Sequence, residues 1–144
     1  TYKWIDERYI QGHDNYDKWK LFVAKSNGTG EFGEALSGIE IASPKTVSTQ
    51  TFISIGSFDN KEEAANLAKY LSSKFARALL GVCKVTPDNA RKEVWRFVPL
   101  QDFTNASDIN WNTSVSDIDE QLYSKYGLSK EEILFIDTNT TSME

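Results

Sequence analysis

The 144-residue sequence has little of several residue types that define common classes of protein. It holds one cysteine, Cys83, and one histidine, His13, so it can form no internal disulfide and cannot supply a zinc site built from several such ligands. A single thiol fits a reducing, cytosolic compartment. No apolar run approaches the roughly 18 residues of a membrane-spanning helix. The first residues resemble neither a signal peptide nor an initiator methionine, so we interpret the start as a cut from a longer polypeptide.

The sequence also lacks the basic excess that is typical of nucleic-acid-binding domains, because its net charge is −5. The charge is uneven, however. Between Lys61 and Arg96 there are eight basic and four acidic residues, which gives this stretch +4 and leaves −9 for the rest. Because local charge decides where a polyanion binds, this stretch remains a candidate for nucleic-acid contact.

The hydrophobic pattern predicts a single α+β domain. Its first part, residues 1–58, is expected to hold mainly strands and loops, and the clearest strand is Thr49–Gly56, where polar and apolar residues alternate. Asp59 and Glu62 have the spacing of a helix cap, and apolar residues recur at helical spacing after them. We therefore expect one long helix over residues 59–85.

Three further elements follow the long helix. The run Val94-Trp95-Arg96-Phe97-Val98, ended by Pro99, predicts a strand over residues 93–99. Residues 116–137 predict a pair of short helices, the first closed by Gly127 and the second opened by a Ser129–Glu132 capping box, and residues 138–144 predict a loose tail. The expected fold class is a mixed or antiparallel β-sheet packed against one long helix, with two short C-terminal helices.

The glycine segment Gly28–Gly33 matches the pattern G-x-G-x-x-G and follows a predicted strand. A nucleotide site also needs a helix that opens within the motif, but Ser37, Gly38 and Pro44 leave room for about one turn. The pattern therefore favours a mobile loop, or a loop that contacts DNA, over a phosphate site.

Other residues that could carry chemistry have simpler explanations. Asp59-Asn60-Lys61 resembles half of a nuclease site, but nothing fixes the carboxylate partner that such a site needs, and a helix cap accounts for Asp59. His13 has no evident nucleophile beside it, and Cys83 lies next to the apolar face of the long helix, where a small buried side chain is expected.

The long helix offers a sharper hypothesis. Lys74, Arg77 and Lys84 fall on one stripe of that helix, and Arg91 and Lys92 follow soon after. A basic stripe backed by an apolar face fits phosphate binding, although an ordinary solvated face fits equally well. The C-terminal helices are acidic, which favours docking or packing over DNA contact.

An ordered series of sequence blocks carries a resemblance over most of the chain, beginning at Lys18-Trp19-Lys20-Leu21. The blocks resemble the C-terminal region of type II restriction–modification proteins with an N6-adenine DNA methyltransferase domain, some of which also carry a nuclease. The resemblance also implies that the fold of the chain is similar to that of methyltransferase specificity domains. The main blocks are Thr49–Phe58, Glu62–Leu67, Lys74–Arg77, Trp95–Phe103, Gln121–Leu128 and Glu131–Ile136.

This resemblance implies a DNA target-recognition domain of a prokaryotic, cytoplasmic protein. The domain would position double-stranded DNA for an upstream methyltransferase domain of the same polypeptide, which would flip out the adenine and bind S-adenosylmethionine. The chain has no Asn-Pro-Pro-Tyr motif, so we expect no catalytic residue, metal or cofactor in this segment. The alternative is a structural or docking module of the same protein that reads no DNA.

Two sets of residues are the expected DNA contacts. The phosphate contacts are expected from Lys74, Arg77, Lys84, Arg91 and Lys92, and the groove contacts from Lys18, Lys20, Lys25, Asn27 and Thr29.

Overall fold

Residues 2–143, which the computed structural model describes, form three β-strands and four α-helices. The strands are β1 (Trp19–Ala24), β2 (Glu40–Ala42) and β3 (Phe52–Phe58), and they form one antiparallel sheet in the order β2-β1-β3. The helices are α1 (Lys61–Ser72), α2 (Lys74–Cys83), α3 (Val115–Tyr126) and α4 (Lys130–Asn139). The predicted α+β class is confirmed, and its sheet is antiparallel.

One face of the sheet packs against the helices. Leu21 and Val23 of β1 are fully buried, and their partners across the β1–β3 ladder are Ile55 and Ile53. Because side chains alternate along a strand, these residues share one face, and they belong to the same hydrophobic core as residues of α1, α2, α3 and α4.

The connection between β2 and β3 must travel the length of the sheet. Both strands are antiparallel to β1, so they run parallel to each other, and β2 ends opposite Lys20 whereas β3 begins opposite Ala24. Residues 43–51 therefore span from one end of the sheet to the other. This connection delivers Thr49, Gln50 and Thr51 to the sheet end where β1 finishes.

The predicted long helix over 59–85 was wrong in one respect, because the helix is broken at Ser73. Ser73 has extended backbone angles (φ −63°, ψ 148°), and its hydroxyl donates to Tyr70 O at 2.6 Å and accepts from Ala76 N at 3.1 Å. The serine thus ends α1 and caps α2, as serine does when its side chain competes for backbone groups. The predicted Asp59 cap was wrong by one residue, because Asn60 Oδ1 accepts from Glu63 N at 2.9 Å.

The predicted strand over 93–99 was also wrong. A short 3-10 helix spans Lys92–Trp95, and its residue Val94 is buried. So short an apolar run cannot distinguish a strand from a turn of helix. The indole of Trp95 fixes the segment by donating to Asn89 O at 2.8 Å.

The C-terminal helix pair confirms the prediction, but the tail does not. Gly127 ends α3 in the left-handed region (φ 65°), and the Ser129–Glu132 capping box opens α4. In residues 138–143 the predicted loose tail is held instead, since α4 continues to Asn139 and Thr141 N donates to Gly33 O at 3.2 Å. Glu144, the last residue of the predicted tail, lies outside the described residues. Among residues 2–143, no helix is both long enough and apolar enough to cross a bilayer.

Candidate nucleic-acid interface

Arg77, a predicted phosphate contact, is buried, with 2% of its surface exposed. Its guanidinium donates to Ser72 O at 3.2 Å, Gly33 O at 3.2 Å and Glu34 O at 3.3 Å, and to Thr141 O. Burial lowers the pKa of this guanidinium. Arg77 therefore joins the glycine segment to the C-terminal tail, and it has no free face for a phosphate.

Lys84 and Asn27 are buried as well and hold each other in place. Lys84 Nζ donates to Asn27 O at 3.1 Å and lies 4.0 Å from the Glu34 carboxylate, and burial lowers the lysine pKa. Asn27 Nδ2 donates to Ala35 O at 2.6 Å, and its Oδ1 accepts from Ser37 N at 2.8 Å. Both side chains fix the loop after β1. Neither has an exposed polar group that could make its predicted DNA contact.

Lys20 is enclosed at the other end of β1. Its Nζ donates to Tyr16 O, Lys18 O and Ser43 O at 3.1–3.2 Å, and burial lowers its pKa. The ammonium ties the turn before β1 to the connection after β2. Lys20 is thus another structural cation and not a groove contact.

Lys18 and Lys74 are engaged by carboxylates of the chain. Lys18 Nζ pairs with Asp59, and Lys74 Nζ pairs with Asp137 at 3.0 Å. Together with the burial of Arg77 and Lys84, these pairs mean that the predicted basic stripe on the long helix does not exist as an exposed cationic surface. Pairing of Asp59 with a lysine also accounts for the carboxylate that resembled half of a nuclease site.

The glycine segment is a nest of backbone amides that the chain fills with its own carboxylate. Glu34 accepts from Thr29 N at 2.6 Å, Thr29 Oγ1 at 2.6 Å and Gly30 N at 3.1 Å. Burial raises the pKa of Glu34, but these hydrogen bonds outweigh it and lower the pKa to about 2. Such nests bind anions. Because Glu34 occupies this one, the amides of Thr29 and Gly30 are not free to hold a nucleotide phosphate, and the predicted groove contact Thr29 is engaged within the loop.

The remaining predicted contacts meet at one end of the sheet. Lys25 N donates to Thr51 O at 2.8 Å, and Asn89 N donates to Lys25 O at 2.7 Å, so three segments lie side by side. Lys25, Arg91 and Lys92 are exposed there, as are the hydroxyl and amide side chains of the β2–β3 connection. We call this surface the sheet-end rim, defined by Lys25, Ser26, Thr49, Gln50, Thr51, Arg91 and Lys92.

The rim carries net positive charge. Two acidic residues are its neighbours in sequence: Glu93, which is exposed and lies 4.0 Å from Arg91 Nε, and Asp88, whose Oδ1 accepts from Ala90 N at 2.8 Å. An exposed pair at that distance contributes little and leaves the arginine available. Within residues 2–143, no carboxylate lies within ion-pair distance of Lys25 or Lys92.

A groove of about 1250 Å³ opens beside the rim. Thr49, Gln50 and Lys92 of the rim line it, together with the aromatic rings of Phe52 and Trp95. The rim therefore borders a concave surface that combines cationic, hydrogen-bonding and aromatic groups.

Sequence reasoning missed Thr49, Gln50 and Thr51 as contact candidates because it assigned them to a strand. In the structure β3 begins only at Phe52, and these residues belong to the exposed end of the connection. The polar run Ser48–Thr51 is the signal that could have marked them as a surface loop.

The other residues considered for chemistry are not assembled into a site. His13 is exposed, and Cys83 is half-buried against the core. Within residues 2–143, no three or more His, Cys, Asp or Glu side chains are grouped so as to hold a metal ion.

Comparisons with protein-family models, with curated proteins and with solved structures return no match to this chain.

Proposed function

We propose that this chain is a DNA target-recognition domain, and that it holds duplex DNA for an adenine-specific DNA methyltransferase domain of a type II restriction–modification protein. The sequence blocks that resemble such proteins support this function. In the same proposal, the protein acts in the cytoplasm of a prokaryotic cell, and the methyltransferase domain binds the S-adenosylmethionine.

The observation that carries the proposal is the sheet-end rim. Lys25 is distant in sequence from the adjacent pair Arg91 and Lys92, and backbone hydrogen bonds through Asn89 and Thr51 hold their segments together. Exposed cations brought together on one edge fit contact with phosphates that are spaced along a duplex. This supports a DNA role for Lys25, Arg91 and Lys92 while Arg77 and Lys84 support the fold.

The polar residues of the rim are suited to contacts with base edges. Gln50 can donate to and accept from a base edge, and the threonines can do so with hydroxyl groups. Phosphate contacts fix the register of a protein on DNA, whereas such side chains distinguish sequences. In the proposed complex, Gln50, Thr49 and Thr51 enter a groove between the phosphates held by Lys25 and Lys92.

The experiment that tests the phosphate role is the salt dependence of duplex binding by the full chain. The plot of log K against log salt has a negative slope, and each phosphate contact that is lost makes it shallower by about 0.9. The slope of the triple variant K25A/R91A/K92A should therefore be shallower than that of wild type by about 2.7. Fluorescence anisotropy of a labelled duplex measures both affinity and slope.

The matched control is K45A/K61A/K130A, which removes three exposed lysines outside the rim. The control should keep the wild-type slope. Equal slopes for wild type and the rim variant would contradict the proposed phosphate contacts.

A docking module remains the second candidate, because α3 and α4 carry six acidic and two basic residues. Exchange of this segment between two related methyltransferases with different sites distinguishes the candidates. A recognition domain transfers its sequence specificity with the segment, whereas a docking module leaves the methylated sequence unchanged.

A further inference from the structure

An apolar groove lies between α2 and α4, apart from the sheet-end rim. Its volume is about 770 Å³, and it contains no residue of the rim. Leu79 and Val82 of α2, Phe135 of α4 and Phe32 line it, and the two phenyl rings lie 5.4 Å apart. Val82 is 57% exposed and Phe135 is 55% exposed.

Helix α4 carries more apolar surface than the chain covers. Ile133 and Ile136 pack against the core, yet the neighbouring Leu134 and Phe135 are exposed. Scattered single apolar residues are common on protein surfaces, but a contiguous concave apolar patch is typical of an interaction site. Because the groove is lined by residues of two helices, its apolar surface is of the kind that an amphipathic helix covers with its apolar face.

The charge around the groove indicates the chemistry of its partner. Glu131 and Glu132 line it, and among the described lining residues neither lysine nor arginine is found. Hydrogen bonds from Ser129 lower the pKa of Glu132, so this carboxylate is ionised at neutral pH. An acidic border repels DNA and attracts a cationic surface.

We propose that the α2–α4 groove binds a short basic amphipathic helix of a partner polypeptide. The partner's apolar face covers Val82 and Phe135, and its lysines or arginines lie near Glu131 and Glu132. Helix α2 has ten residues and is thus about 15 Å long, which accommodates about three turns of a partner helix. This function is additional to DNA recognition and does not depend on it.

The test measures anisotropy of a fluorescein-labelled 14-residue peptide with leucine at positions i, i+3, i+4 and i+7 and lysine elsewhere. A second peptide has the same composition in an order that destroys the apolar face. At about 0.15 M salt the full chain should bind the amphipathic peptide at least about tenfold more tightly than the second one. Equal binding of the two peptides would mean that charge alone attracts them, and it would overturn the proposal.

Variants of the groove locate the binding. Because Val82 and Phe135 are each more than half exposed, V82S and F135S should keep the fold and weaken the amphipathic peptide about tenfold each. E131Q should weaken it about threefold and reduce its salt dependence. The control F97S/L100S, which removes exposed apolar side chains outside the groove, should bind as wild type does.

Circular dichroism checks the fold of each variant. If F135S unfolds, the peptide affinity of V82S is the test, since Val82 lies on α2 and not on α4. Unchanged peptide affinity in a folded V82S variant would place the binding elsewhere. Sedimentation of the free chain checks a second copy as occupant, and a dimer that F135S disperses would also overturn the proposal.

Discussion

The guanidinium of Arg77 on α2 donates to the backbone carbonyl of Gly33, 3.2 Å away, across 44 positions of sequence. The same side chain also donates to Thr141 O, beyond the end of α4. One buried cation thus joins the glycine segment, the second half of the broken helix and the C-terminal tail.

Removal of this guanidinium should destabilise the whole domain. In R77A several buried carbonyls lose their donor and a cavity opens, so the free energy of unfolding should fall by about 3 kcal/mol. The comparison is K74A on the same helix, whose partly exposed ion pair with Asp137 should contribute less than about 1 kcal/mol. Urea unfolding measures the free energy of unfolding of both variants. Equal decreases in R77A and K74A would mean that the buried hydrogen bonds of Arg77 do not hold the three segments together.

Two glycines with similar backbone angles should respond very differently to alanine. Gly33 has φ 73°, and a methyl group there would overlap Asn139 O and Thr140, whereas Gly127 has φ 65° with open space around it. G127A should therefore cost only the left-handed strain of about 1 kcal/mol. G33A adds a clash with backbone and should lose about 3 kcal/mol or more.

Thermal unfolding of the two variants checks this difference. If G33A were as stable as G127A, then the tail would not pack against the glycine segment.

We call the Glu34 carboxylate, together with the Thr29 and Gly30 amides that donate to it, the clasp. The clasp predicts a pH dependence of the free energy of unfolding. The folded pKa of about 2 lies below the ordinary value of 4.5, so the unfolded state binds more protons between these values. The stabilisation from Glu34 is therefore complete above pH 4.5, and it is lost as the pH falls toward 2. In E34Q this contribution is absent throughout.

Urea unfolding at a series of pH values tests the clasp. The stability gap between wild type and E34Q should be constant near neutral pH and should shrink as the pH falls from 4.5 to 2. Because Asp102 and Glu132 also have lowered pKa values, the gap between the two proteins is informative and the wild-type curve alone is not. A gap independent of pH would contradict the clasp.

Local patterns predicted the elements that local physics determines. The Ser129–Glu132 box and the Gly127 cap depend on neighbours within a few residues, and both are present as predicted. The break at Ser73 was missed because the apolar spacing of α1 and α2 continues across it. Two adjacent serines, Ser72 and Ser73, were the available signal, since serine favours caps over helix interiors.

The roles of the basic residues could not be predicted from spacing. Arg77 and Lys84 have the spacing of one helical stripe with Lys74. The carbonyls that accept their hydrogen bonds belong to Asn27, Gly33 and Thr141, which lie far away in the sequence. Nothing in the local sequence shows that these distant carbonyls will lie next to the helix. Conversely, Lys25 and Lys92 converge only because Asn89 pairs with the end of β1.

Contact between the sheet-end rim and DNA is measured residue by residue in an amide NMR titration of the ¹⁵N-labelled chain with a short duplex. Amide shifts should grow with added DNA at Lys25, Thr49–Thr51, Arg91 and Lys92, while α3 and α4 stay unchanged. Shifts confined to the C-terminal helices, or no shifts at low salt, would contradict it.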